Sequence, residues 1–136
     1  MTSEERNKLI SVLKSNTKWP IIIEGITSSY FKDATIIPAD IPSSDLGVVP
    51  TENGIKYPAW AMELILKSKK TSHRVLCIDK IDSIPDKDQE KFYGLIKVGG
   101  INGFKFPDGT QIIITASDMN KVSPKLSALT LIYKVK

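Results

Sequence analysis

Cysteine and histidine are almost absent from this 136-residue sequence, which contains one of each. A single cysteine excludes a disulfide within the chain and a cysteine-rich zinc site, so no metal centre is predicted. Cys77 lies inside the apolar run "RVLCID", where we predict a buried, reduced thiol. His73 just precedes that run, and no sequence pattern pairs it with a nucleophilic serine or cysteine.

Long apolar runs are also missing. No stretch approaches the roughly 18 apolar residues of a membrane-spanning helix. The opening "MTSEERNKL" is polar and charged, unlike a signal peptide. We therefore expect a cytoplasmic protein without a membrane partner. Its small size and many lysines and isoleucines suit a viral or mobile-element protein, in which case the compartment is the host cytoplasm.

Neither sign of charge dominates the sequence. Nineteen lysines and arginines face fifteen aspartates and glutamates, for a net charge of +4. This excess permits contact with nucleic acid but does not require it, and lysines spread along the chain are typical of a solvated surface. One alternative function is therefore a basic, nucleic-acid-binding accessory protein, with candidate contacts at Lys67, Lys69, Lys70, Lys97, Lys105 and Lys121.

What the sequence does contain is an alternation of short apolar strands with helices. Strong strands are predicted at "PIIIEG", "RVLCID" and "TQIIITAS", and weaker ones at residues 35–37 and in "LIYKVK". Helices are predicted over residues 2–16, 59–70, 86–99 and 123–131, with a hairpin in "GGINGFKFPDG". This order predicts an α/β fold with a mostly parallel sheet flanked by helices, in one domain spanning residues 1–136.

The strand ends indicate where a site would form. In an open parallel sheet, ligands bind beyond the carboxyl ends of the strands. Three strong strands end at Gly25, Asp79 and Ser117, so we expect these residues to lie at one edge.

The motifs that follow this pattern resemble those of the AAA+ ATPase family, closest to its MoxR-like and dynein-related branch. The resemblance is continuous over residues 57–135. It rests on the Walker B-like "VLCIDKIDSIPDKDQ", the hairpin return "FPDGTQIII" and the sensor-like "ITASDMNKVSPKL". Upstream, "PIIIEG" is similar to the strand before a Walker A loop, and "DLG" to the stretch after the second strand. The resemblance implies a reduced P-loop NTPase core with an inserted hairpin.

The Walker A positions lack the residues that grip phosphate. Such a loop needs glycine amides around the phosphates, a lysine to neutralise them and a hydroxyl to hold magnesium. Counting from Gly25, the last three positions fall on Tyr30, Phe31 and Lys32. Tyr30 is bulky where glycine lets the backbone approach, Phe31 carries no charge, and Lys32 offers no hydroxyl. The stretch up to residue 45 is also short, so the phosphate-cradling helix is expected to be reduced or missing.

The remaining catalytic positions are altered too. Asp79 matches the Walker B aspartate, but Lys80 stands in place of the glutamate that positions water, and a protonated lysine cannot accept a proton. Ser117 replaces the sensor asparagine. Leu129 occupies the arginine-finger position, where it cannot stabilise phosphoryl charge. With the chain ending at Lys136, we expect no helical lid.

These substitutions predict a non-catalytic, AAA+-like pseudo-ATPase domain that acts through protein contacts and needs no cofactor. Its partner would be an AAA+ ATPase, another copy of itself, or a replication or packaging assembly. Possible contacts are Phe104, Lys105 and Phe106 in the hairpin, because the corresponding hairpin of the branch projects from the domain; the alternative is that one or both phenylalanines pack into the core. The proline-punctuated loop over residues 41–58 is a second candidate surface.

A weak ATP-binding or ATPase subunit that uses ATP and magnesium is the other alternative. It would need a substitute phosphate grip formed by Thr27, Ser28, Ser29 and Lys32.

Overall fold

A five-stranded parallel sheet organises the chain. The computed structural model describes residues 1–101 and 103–135, so Asn102 and Lys136 lie outside the described residues. In chain order the strands are β1 (Ile21–Glu24), β2 (Thr35–Pro38), β3 (Val49–Thr51), β4 (Gly54–Lys56), β5 (Arg74–Asp79), β6 (Gly100–Ile101), β7 (Phe104–Lys105), β8 (Thr110–Ala116) and β9 (Leu131–Lys134). The helices are α1 (Ser3–Ser15), α2 (Ala59–Ser68), α3 (Asp86–Gln89), α4 (Tyr93–Val98) and α5 (Pro124–Ser127).

The main sheet has the strand order β2-β5-β8-β1-β9, and each neighbouring pair is parallel. Its central strands carry the apolar runs: three residues of β1 and six of β8 are buried. Strands buried on both faces are typical of parallel sheets covered by other elements on each side. The predicted α/β class with a mostly parallel, helix-flanked sheet is therefore confirmed, and the architecture is compatible with a P-loop-like core.

The two faces of the sheet are covered unequally. One face packs against α2, α4 and α5, whose buried side chains join a large cluster with Ile22, Ile78 and Ile114 of the sheet. The other face carries a smaller cluster built on Ile21, Ile23 and Ile113, covered by Leu9 of α1 and by the turn after β1.

Helix α1 begins where the sequence predicts. The Thr2 hydroxyl accepts a hydrogen bond from the Glu5 backbone N–H at 3.1 Å, which caps the first turn. Glu4 and Glu5 place negative charge near this helix N-terminus, where the helix dipole favours it. None of the helices in the described ranges is both long and apolar enough to cross a membrane.

Several local predictions need correction. The helix predicted over residues 86–99 is broken into α3, a short 3-10 segment and α4. On α2, Trp60 and Leu64 are buried, whereas Met62 and Leu66, which have the same spacing of four, are 43% and 55% exposed. The loop over residues 41–58 contains the β3–β4 hairpin, whose six residues are all exposed and therefore carry no burial pattern.

The hairpin formed by β6 and β7 is turned inward rather than outward. Phe104 and Phe106 are buried, and each stacks edge-to-face on Trp60 with ring centroids 6.0 and 5.9 Å apart. Of the two alternatives for these rings, core packing is the one found, because both complete the core beside α2. Lys105, between them on the opposite face of the strand, is exposed, and Asn102 of this hairpin lies outside the described residues.

Candidate functional site

The carboxyl ends of β1, β5 and β8 meet at one edge of the sheet. These strands are neighbours in the order β5-β8-β1 and run parallel. Gly25, Asp79 and Ser117 therefore lie at the same edge, as the sequence predicts. We call this region, residues 24–31, 79–82 and 115–119, the carboxyl edge.

Ser28 binds Asp79 with both of its donors. Its backbone N–H donates to Asp79 Oδ1 and its hydroxyl donates to Asp79 Oδ2, each at 2.9 Å. Ser28 begins a three-residue 3-10 turn that stands where a phosphate-binding helix would start. The turn after β1 therefore holds a carboxylate of its own chain, in the position where a phosphate-binding loop would hold an anionic ligand.

Thr115 of β8 completes the environment of Asp79. Its hydroxyl donates to Asp79 Oδ1 at 2.7 Å and accepts the Lys80 backbone N–H at 2.8 Å. Burial alone would raise the pKa of Asp79, but the hydrogen bonds from Thr115 and Ser28, with the charge of Lys80, outweigh it and lower this pKa. Asp79 is thus an ionised structural acceptor.

Lys80 is the residue with the unusual backbone. Its φ of 59° and ψ of 52° place it in the left-handed region, which a side chain other than glycine, asparagine or aspartate seldom adopts. The conformation turns the chain sharply after β5 and leaves the ammonium group in solvent. Lys80 contributes positive charge beside Asp79 but no proton acceptor.

A second carboxylate closes the end of β8. Asp82 Oδ2 accepts from the Ser117 hydroxyl at 2.6 Å, the Ser117 N–H at 3.1 Å and the Asp118 N–H at 2.9 Å. Burial would raise the pKa of Asp82, but these hydrogen bonds lower it. Ser117, the sensor position, is therefore committed to the chain itself.

Glu24 plays the same part at the end of β1. Its Oε2 atom accepts from the Met119 backbone N–H at 2.7 Å, and its Oε1 atom pairs with Lys134 Nζ at 3.3 Å. Together with Asp79 and Asp82, it gives the carboxyl edge three carboxylates that bind loop backbone. The backbone donors that these carboxylates bind already have acceptors within the chain.

The aromatic residues at the Walker A positions are structural. Tyr30 and Phe31 contact each other edge-to-face at 5.1 Å and pack on the smaller core cluster. Lys32 is exposed. Gly25 adopts a φ of +107°, and a Cβ there would lie 3.0 Å from the Val135 carbonyl oxygen. The close passage of β9 therefore accounts for this glycine without any ligand.

The substitute phosphate grip is not assembled. Ser28 gives both donors to Asp79, and the Thr27 and Ser29 hydroxyls bond each other at 2.7 Å. Leu129 precedes β9 and so lies at the opposite, amino-terminal edge of the sheet. Within residues 1–101 and 103–135, no group of three histidine, cysteine or acidic side chains is arranged to hold a metal ion.

The predicted basic face is not one surface. Lys121 follows β8 at the carboxyl edge, whereas Lys97 and Lys105 line a groove near the start of that strand. Lys67 donates to the Asp33 carbonyl oxygen at 2.8 Å and pairs with Glu63 at 3.6 Å. Cys77 is fully buried, and burial, with the charge of Asp79, raises its pKa to about 12.

Sequence reasoning missed three members of the carboxyl edge: Glu24, Asp82 as an acceptor, and Thr115. Each carried a signal, because each is a polar residue at or just after the carboxyl end of an otherwise apolar strand. Such a residue in a buried strand needs a hydrogen-bond partner, which the neighbouring strand ends supply.

In comparisons with known proteins, the chain matches no protein-family model and no curated protein.

Proposed function

We propose that this chain is a non-catalytic relative of the AAA+ ATPases, a pseudo-ATPase domain that works by binding a protein partner. The partner we propose is an AAA+ ATPase, a second copy of the chain, or an assembly that contains such an ATPase. The observation that carries the proposal is the double hydrogen bond from Ser28 to Asp79.

The Ser28–Asp79 contact argues against nucleotide binding for two reasons. A phosphate would have to compete with a carboxylate that is already held by three donors from Ser28 and Thr115. It would also lose the free energy of those charge-assisted bonds, which are stronger than neutral ones. No lysine at the position of Phe31 compensates for this cost.

Exposed apolar side chains support the contact role. Trp19, Val98, Ile55 and Leu66 are each at least half exposed, at 63%, 75%, 50% and 55%. Exposed apolar side chains that form a contiguous patch often mark an interaction surface, whereas single scattered ones do not. Trp19 and Val98 line one groove.

Calorimetric titration of the chain with ATP and magnesium tests the nucleotide part of the proposal. We expect no binding heat, because the phosphate-binding donors are occupied within the chain. The matched control is Asp79→Ala, which frees Ser28 but supplies no lysine and is expected not to bind either. A low-micromolar dissociation constant for the natural chain, lost in Asp79→Ala, would replace this proposal with the weak-ATPase alternative.

A further inference from the structure

The amino-terminal edge of the sheet carries a groove unrelated to the carboxyl edge. It lies between residues 17–20 before β1, residues 96–99 at the end of α4 and residues 105–110 before β8, and we call it the amino-edge groove. Its volume is about 430 Å³, within the range of ligand-binding clefts. Because strands of a parallel sheet all start on one side, this groove is far from Asp79 and independent of it.

The floor of the amino-edge groove is apolar. It is formed by Ile96, Phe106, Ile112 and Leu129, of which the first three are less than 8% exposed. The rim carries Trp19 and Val98, at 63% and 75% exposure the two most exposed of the large apolar residues in the described ranges. The apolar area still open to water is mostly on Trp19 and Val98, and covering it with a large apolar side chain is favourable.

The charge of the rim is positive. Lys18, Lys97 and Lys105 line the groove, against one acidic residue, Asp108. None of these lysines forms an ion pair within the part of the chain that the structure describes. Lys97 Nζ stands 5.7 Å from the centre of the Tyr93 ring, so a cation–π contact restrains it. The rim therefore complements an anionic occupant.

Single-stranded nucleic acid and an acidic peptide both carry negative charge that complements this rim. The shape of the groove favours the peptide. Single-stranded nucleic acid uses an extended basic track with successive aromatic platforms. Here one exposed tryptophan and one exposed valine flank a compact floor in which the one ring, Phe106, is buried. Val98 offers no ring for a base to stack on, but it suits an apolar side chain of a peptide.

We infer that the amino-edge groove binds a segment of a partner protein in which acidic side chains flank a large apolar anchor. The anchor lies on the floor between Trp19 and Val98, and the acidic side chains meet Lys18, Lys97 and Lys105 on the rim. This inference deepens the proposed function and rests on it only in that the domain acts by protein contact.

The test starts from a displayed library of random linear peptides selected on the natural chain. We expect the enriched peptides to combine aspartate or glutamate with a large apolar residue. The affinity of a fluorescein-labelled enriched peptide is then measured by anisotropy. Trp19→Ala should weaken binding by about 30-fold, as for a central interface tryptophan. The pair Lys97→Glu and Lys105→Glu should weaken it by about tenfold, because each exposed ion pair contributes up to about fivefold.

Two matched controls guard against general effects. Met62→Ala shortens an exposed apolar side chain of α2, and Lys87→Glu reverses an exposed lysine of α3; both should leave peptide affinity unchanged. Val98→Asp provides a second groove variant at a highly exposed position and should also weaken binding. Affinity that survives all the groove variants would overturn the inference, as would enriched peptides that lack acidic residues.

Labelled oligothymidylate forms the other arm of the experiment. Binding of oligothymidylate that Trp19→Ala abolishes, without any acidic peptide being enriched, would assign the groove to nucleic acid and overturn the inference. The ATP titration on the same preparations separates the two proposals. A groove that binds no peptide in a chain that binds no ATP refutes the groove assignment alone, whereas ATP binding refutes the pseudo-ATPase proposal whatever the peptides do.

Discussion

At the scale of single residues, a small number of side chains at the carboxyl edge bind to one another instead of to a ligand. Ser28, Asp79 and Thr115 form one hydrogen-bonded group, and Asp82 with Ser117 forms a second. In each group an ionised carboxylate accepts several donors, an arrangement that stabilises the charged form and fixes the loops. Serine, threonine and aspartate also bind phosphate or magnesium in nucleotide-binding proteins. Their role therefore depends on which groups they form hydrogen bonds with.

Replacing Ser28 by alanine tests how much the hydrogen bond from its hydroxyl to Asp79 contributes to the free energy of unfolding. Hydrogen bonds to charged groups contribute about 1.5–3 kcal/mol, and we expect Ser28→Ala to lower the free energy of unfolding by about 1–2 kcal/mol because the backbone N–H bond remains. Urea denaturation measures this change. Ser29→Ala is the matched control, since the Ser29 hydroxyl bonds only the exposed Thr27 hydroxyl. Equal effects of the two variants would contradict the structural role of the contact.

Acid should destabilise the fold through Asp79 and Asp82. Both carboxyls have folded-state pKa values below their ordinary value, which is about 3.9 in an unfolded chain. The unfolded chain therefore binds protons more readily, so the stabilisation is complete above about pH 4 and is lost as the pH falls through the folded pKa values. Free energies of unfolding measured from pH 6 downward should decline as the pH falls below about 4. The Asp79→Asn variant should show a smaller decline. An unchanged profile for Asp79→Asn would exclude Asp79 as its source.

At the scale of elements, the two faces of the sheet differ in how they are protected. The face that packs on α2, α4 and α5 holds most of the buried side chains, whereas α1 and the short turn at Tyr30 and Phe31 protect the other. The turn after β1 therefore binds Asp79 through Ser28 and also covers this face of the sheet with the rings of Tyr30 and Phe31. This anchoring is one reason why we propose that the turn does not bind phosphate.

Shortening Leu9 of α1 tests how much that helix contributes. Leu9 is fully buried, and Leu→Ala changes at such sites cost about 2–5 kcal/mol through lost burial and an unfilled cavity. We expect Leu9→Ala to reduce the free energy of unfolding by that amount. Ile10, the next residue, is 37% exposed, and Ile10→Ala should cost about 1 kcal/mol or less. Thermal and urea unfolding measure both variants. Equal losses in the free energy of unfolding would mean that the buried face of α1 is wrongly assigned.

At the scale of the whole molecule, the two ends of the sheet have different characters. The carboxyl edge, where open parallel sheets bind ligands, is closed by its own carboxylates and hydroxyls. The amino edge has an apolar groove with a basic rim and no internal occupant among the described residues. We propose contact without catalysis because the carboxyl edge is filled by internal hydrogen bonds and the amino edge is open.

Restoring the Walker B-like glutamate is the direct test at this scale. We expect Lys80→Glu to hydrolyse no ATP above the rate of an Asp79→Ala control, because Ser28 still occupies Asp79 and Phe31 and Leu129 still supply no charge. A phosphate-release assay at saturating ATP and magnesium measures the rate. Turnover clearly above the control would mean that the phosphate-binding site is intact.

The strands were the most predictable part of the fold. β1, β5 and β8 are short apolar runs whose burial follows from composition, and the polar residues Glu24, Asp79 and Ser117 at or just after their ends mark the carboxyl edge. The β3–β4 hairpin was missed because exposed, proline-containing strands have no apolar periodicity. For Phe104 and Phe106 the sequence left core packing and partner contact open, although two aromatic residues separated by one lysine lie on the same face of a strand.

By itself, the sequence determined the class of fold and the positions of the buried strands. The tertiary structure alone decided that Ser28 meets Asp79, 51 residues further along the chain, and that Trp19 shares a groove with Lys97 and Lys105. The physical reason is that apolar periodicity encodes local backbone geometry and burial. The pairing of polar groups depends instead on which strands become neighbours, and that order is set only when the whole core packs.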